Sequence, residues 1–231
     1  MRFWRVLSGD MRYQFKYGFY FLYLAISAFY IAVLLMLPPG IRQLGAALIV
    51  WSDPAALGFF FIGGIVLLEK GEGLQSYFSI LPVTTGEYLW SKVVSLSIIS
   101  TLAGLVIAAV GLRGEVAYLF LVPGLLAGSA LFTLFGLAVG SVARSLNHYM
   151  ALGVPLGILL AGPSFLPVLG VSHPLLEVLP ATLLLRALYV SAGLAVPYSE
   201  PLALAGLLLW LVPSFLLAQR SFTIYLQRTG G

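Results

Sequence analysis

The chain has 231 residues, of which 61% are hydrophobic and only 9% charged, with a mean hydropathy of +1.04. Soluble domains carry roughly 45–50% apolar and about 25% charged residues, so a water-soluble fold is excluded and the useful count is of membrane spans, about 20 residues each. The absence of cysteine removes disulfides, thiolate metal sites and a cysteine nucleophile. The 12 Lys and Arg against 8 Asp and Glu are scattered between apolar runs, as membrane topology requires and a nucleic-acid surface does not.

Residues 1–16 read as a helix lying on the membrane. At about 100° per residue, Trp4, Leu7, Met11 and Phe15 share one face and Arg2, Arg5, Arg12 and Lys16 the opposite one. A plainer reading has these charges only orienting the first span, with no helix required. The apolar run from Tyr17 to Leu37 ends in Pro38-Pro39-Gly40, lacks the pattern of a cleaved leader, and reads as a retained span over 18–37.

A second span covers 44–68. In its middle Ser52-Asp53-Pro54 looks like a cap followed by proline at a first helical turn, which predicts a break. Asp53 therefore has two readings: an acid inside the span, costly and functional, or an exposed helix cap, which is preferred. Spans over 93–112 and 116–142 form a hairpin through Arg113-Gly114-Glu115. The fifth span, 150–171, is interrupted by Gly162-Pro163 and Pro167. Residues 173–201 alternate short apolar runs with prolines and predict two short re-entrant helices packed on other spans, before a last span over 202–218. Glu177 and Arg186 flank the re-entrant turn, where they pair, line an exit or sit at the headgroups.

Nine basic residues, Arg2, Arg5, Arg12, Lys16, Lys70, Lys92, Arg144, Arg220 and Arg228, fall on one side of this topology, against Arg42, Arg113 and Arg186 on the other. The richer side is cytoplasmic by the positive-inside rule, which places both termini there. Glycine pairs four apart, Gly124 and Gly128, Gly136 and Gly140, Gly153 and Gly157, are suited to close helix packing in lipid.

The most polar connection is 69–92. Leu74, Tyr77, Phe78 and Leu81 fall at i, i+3, i+4 and i+7, predicting a short amphipathic helix that Pro82 stops. Thr84 and Glu87 have the spacing of a capping box that starts the next helix. This run, with its LEKGEG opening, its proline and its EYL-SK close, resembles the permeases of ABC-2 type transporters, and among them the small six-span drug-export permeases of the fluoroquinolone-export type. Those permeases share the layout read above: an interfacial helix, six spans, a coupling helix between spans 2 and 3, and a re-entrant pair before span 6.

The resemblance implies an all-α membrane permease of a prokaryotic cell membrane, paired with a second permease chain of the same kind and driven by separate ABC ATPase subunits that bind ATP and Mg. It assigns Glu69, Glu72, Leu74, Tyr77, Phe78 and Pro82 to the ATPase contact, flanked by Arg2, Trp4 and Arg5; the bland alternative is a helix floating on lipid. A cargo pathway involving Asp53, Glu177 and Arg186 is a further expectation, with an amphipathic or hydrophobic cargo moved by alternating access. No cofactor is expected in this chain: its three lysines follow Phe15, Glu69 and Ser91, so it contains no GxxxxGK[ST] phosphate loop. His148 and His173 lack ligands at metal spacing, and with Ser129 and Ser141 they form no catalytic motif. A lipid-modifying membrane enzyme and a non-transporting scaffold or sensor subunit remain the competing classes.

Overall fold

The computed structural model describes residues 2–74, 83–112, 116–171, 173–194 and 200–229. These residues form helices and no strand: α1 Arg2–Lys16, α2 Phe19–Met36, α3 Pro39–Ser52, a π-helical turn Asp53–Gly58, and α4 Phe59–Gly71. There follow α5 Thr85–Gly111, α6 Tyr118–Val142, α7 Leu146–Ala161 with a 3-10 turn Gly162–Phe165, α8 Pro174–Glu177, α9 Pro180–Ser191 and α10 Glu200–Thr229. Among the described residues, six segments are long and apolar enough to cross a bilayer: Phe19–Met36, Pro39–Gly71, Thr85–Gly111, Tyr118–Val142, Leu146–Phe165 and Pro201–Gln227.

The predicted break at Asp53 is not there. Proline at position 54 has no N–H to donate and crowds the carbonyl one turn back. Here the chain absorbs that defect as one wide π turn, and helix continues from Pro39 to Gly71. α5 starts at Thr85, where the Thr84 hydroxyl accepts from the Glu87 N–H at 3.2 Å and the Thr84 N–H donates to the Glu87 carboxylate at 2.8 Å. α10 runs past the apolar stretch to Thr229, because its later turns still pack: the Phe222 ring stacks on Tyr88 with centroids 4.5 Å apart.

α6 is the centre of the bundle. Its most apolar window is 89% buried, against 11% for α2, 17% for the α7 segment and 22% for α10, so those three face outward. Lipid supplies no hydrophobic drive between helices, and close backbone approach takes its place. At Gly136 a Cβ would stand 2.3 Å from Ile62 Cγ2 and 2.6 Å from the Phe59 carbonyl oxygen, which shows how tightly α6 and α4 meet. Gly124 and Gly128 receive Ala187 and Leu184 of α9, whereas Gly157 has open space around it. Large apolar side chains such as Phe21, Met36, Leu119 and Leu209 are exposed, as a lipid-facing surface permits.

α9 is buried on nearly all sides, and other elements satisfy backbone at and near its ends. The Trp51 indole donates to the Ala181 carbonyl at 2.9 Å, the Trp210 indole to Val178 at 2.8 Å, and the Ala117 N–H to Ser191 at 3.0 Å.

Candidate functional site

α1 packs against α5 in an orientation the periodicity does not anticipate. Its buried residues are Leu7, Asp10 and Gln14, while Trp4 and Phe15 are exposed. The polar stripe turns inward because α5 offers it partners, and the aromatic side chains are left to lipid. Tyr88, Ser91, Lys92 and Ser95 follow one another at i, i+3, i+4 and i+7 on α5 and line one face.

On that face the Lys92 ammonium bonds both the Asp10 carboxylate of α1 and the Glu69 carboxylate of α4. Ser91 donates to Asp10, the Tyr88 hydroxyl donates to Glu69 at 2.7 Å, and the Gln14 amide donates to the Ser95 hydroxyl at 2.7 Å. Lys92 is 1% exposed, Glu69 4% and Asp10 8%, so the cluster lies in protein and not in water. Burial and the Glu72 and Glu69 carboxylates push the Tyr13 phenol of α1 well above its ordinary value.

A second clamp lies nearby. The Lys70 ammonium donates to the carbonyls of Gly140, Ser141 and Ala143 at 2.8, 2.7 and 2.9 Å and sits 4.1 Å from the centre of the Tyr225 ring. A cation thus meets the orphan carbonyls at the C-terminus of α6 and ties the ends of α4, α6 and α10 together.

These contacts correct one expectation and leave others open. Glu69, which the resemblance assigns to the ATPase contact, is enclosed in the ion cluster because Lys92 and Tyr88 claim both its oxygens. Glu72 is exposed, Leu74 is half-buried, and Arg2, Trp4 and Arg5 are exposed on α1. Tyr77, Phe78 and Pro82 lie outside the described residues. Glu177 and Arg186 form an ion pair between α8 and α9, largely shielded, where a headgroup position was one of the readings.

Asp53 is the larger correction. It is no exposed cap: it is 1% exposed, its Oδ2 accepts from Ser100 at 2.5 Å and from the Tyr23 hydroxyl at 3.4 Å, and its Oδ1 has no partner. The sequence reading missed Asp10, Gln14, Tyr88 and Lys92 as a set. The available signal was the Leu7, Asp10, Gln14 stripe on α1, whose meaning depends on what faces it.

An all-helical bundle with six apolar crossings and a further helix tied to one end through the buried charges of Asp10, Glu69 and Lys92 defines a multi-pass integral membrane protein. The profile of the fluoroquinolones export permease protein family matches residues 1–229, and the chain belongs to that family. It is 33% identical over 135 residues to a fluoroquinolones export permease protein of Mycobacterium tuberculosis strain H37Rv, and equally to that of strain CDC 1551 / Oshkosh. The match covers 58% of this chain and 57% of each relative, so it spans little more than half their length.

Proposed function

We propose that the chain is the membrane-spanning permease of an exporter powered by a separate ABC ATPase, and that it moves amphipathic, drug-like or lipid-like molecules out of the cell. The observation that carries this reading is the Lys92, Asp10, Glu69 cluster, which locks α1, the end of α4 and the start of α5 into one unit on either side of residues 75–82. A push on that connection would be delivered to two spans and the interfacial helix at once, as a motor subunit requires. Family membership and the relatives' names support the export function, and the sequence has no phosphate loop with which to bind ATP itself.

In this reading the end bearing the cluster is cytoplasmic. Tyr77 and Phe78, with Glu72, Leu74 and Pro82, sit in a groove of the ATPase, and Arg2, Trp4 and Arg5 flank them. ATP and Mg belong to that partner. A second copy of the permease completes the pathway, with the outward faces of α2, α7 and α10 divided between it and lipid. Glu177 and Arg186 belong to the opposite mouth.

The test is co-purification in mild detergent with the co-expressed ABC ATPase, comparing the wild type with a Tyr77→Ala, Phe78→Ala double variant. Loss of the complex and of permease-stimulated ATP hydrolysis in the variant is the expected result. A wild-type permease that retains no ATPase overturns the proposal.

A further inference from the structure

The buried carboxylate of Asp53 is not used by the coupling machinery. α3 contributes 14 residues before it and α4 13 after its π turn, which puts it near the middle of the crossing segment. An acid at that depth is expensive, and in known spans it faces a cation, a pathway or a relay. No cation among the described residues pairs with Asp53; its partners are the hydroxyls of Ser100 and Tyr23, and Oδ1 has none. The hydroxyls of Ser129 and Thr133 are also buried without a partner, and they approach the same π turn, within 4.0 Å of where a Cβ on Gly58 would stand.

Behind Tyr23 lies the second observation. Between α2 and α5 runs a groove of about 300 Å³, walled by Leu24, Ile31, Leu102 and Val106 and bordered by the rings of Tyr20 and Tyr23. That is the lower end of the volumes that hold small organic ligands. Leu24, Leu102 and Val106 are exposed, so the groove opens on the lipid side of the bundle. Tyr23 is both its wall and the longer, weaker of the two hydrogen bonds to Asp53; its ring packs edge-on to Phe61 at 5.0 Å. Tyr23 thus stands between the apolar groove it lines and the Asp53 carboxylate it bonds.

We infer that this groove is an entry site for hydrophobic organic cations, which reach it from the bilayer, lay their apolar body between α2 and α5 and pair their positive charge with Asp53 behind Tyr23. The inference rests on the export reading for its purpose and names the charge class of cargo. Aromatic faces at the mouth favour a cation over a neutral molecule of the same size. The titratable groups near Asp53 are phenols: Tyr23 and Tyr30 on α2, and Tyr149 of α7, whose hydroxyl donates to the Phe59 carbonyl beside the π turn. α6 carries no charged residue, and Glu87 and Lys92 of α5 are engaged at its first turns.

The probe is radiolabelled tetraphenylphosphonium bound to the purified chain in lipid nanodiscs, a measurement that needs no ATPase. Wild type is expected to bind it saturably. Asp53→Asn should weaken binding about thirty-fold or more, the loss that follows when one member of a buried charge pair is neutralised. Ser100→Ala, which keeps the charge, should stay within about three-fold, and Leu102→Trp, which fills a lipid-facing groove, should abolish binding. Any of these results overturns the site: no saturable binding to wild type, binding to Asp53→Asn equal to wild type, a loss in Ser100→Ala as large as in Asp53→Asn, or unchanged binding to Leu102→Trp. Failure here leaves the ATPase co-purification standing, and failure there leaves this site standing.

Discussion

Replacing Lys92 by Met removes the cation that two buried carboxylates share while keeping side-chain length. The side chains of Lys92, Asp10 and Glu69 are 1%, 10% and 5% exposed, so water cannot take over the lost bonds without opening the junction of α1, α4 and α5. Breaking a buried pair by deleting one partner costs about 3–5 kcal/mol, against about 0–1 kcal/mol for an exposed pair. With two acids stranded, the loss should be about 3 kcal/mol or more, a drop of about a hundred-fold in the unfolding equilibrium. Titration with dodecyl sulfate in mixed micelles, followed by tryptophan fluorescence, measures it. Trypsin cleavage at Arg5 and Arg12 reports separately whether α1 has come away. Adding Asp10→Asn and Glu69→Gln to Lys92→Met removes the stranded charges and should restore more than half of the lost stability. A Lys92→Met variant within about 1 kcal/mol of wild type would refute the claim that the cluster is a desolvated joint.

Gly136→Ala should destabilise by about 1–3 kcal/mol, since its Cβ would meet the Phe59 carbonyl oxygen at 2.6 Å, whereas Gly157→Ala, with nothing within 4 Å, should be neutral or gain up to about 1 kcal/mol of helix propensity. Thermal melting in detergent separates the two, and equal effects would contradict the tight seam between α4 and α6. Lys70→Met loses three bonds from an ammonium to carbonyls at the end of α6 and should cost about 2 kcal/mol. The same melt reads this loss, and hydrogen exchange should localise it to residues near Ala143.

Local chemistry was legible in the sequence where it is sufficient by itself. Apolar runs near 20 residues identify the spans, and Thr84 with Glu87 three positions on marks the start of α5. Proline after Asp53 was read as a break because, in isolation, that pair begins a helix as readily as it bends one. The outcome depends on α6, whose Ser129, Thr133 and Gly136 receive the widened turn and the helix beyond it. The buried contacts of the N-terminal helix were missed for a related reason. Amphipathicity assumes polar residues seek water, but Asp10 finds Lys92, 82 positions away, and lipid takes Trp4 and Phe15. Asp10, Glu69 and Lys92 share no local pattern, so their cluster is visible only once three helices have been brought together.

The π turn also sets the angular relation between the two halves of one long helix. A single additional residue in a turn advances every later side chain by about 100° around the axis. α3 can therefore aim Trp51 at Ala181 of α9 while α4 aims Phe59 and Ile62 at Gly136 of α6, from one uninterrupted rod. Deleting one residue between Asp53 and Gly58 would return the rod to ordinary helix and rotate its halves out of alignment. The widened turn thus works as an indexing step, letting one span serve two neighbours whose seams do not share a helical phase.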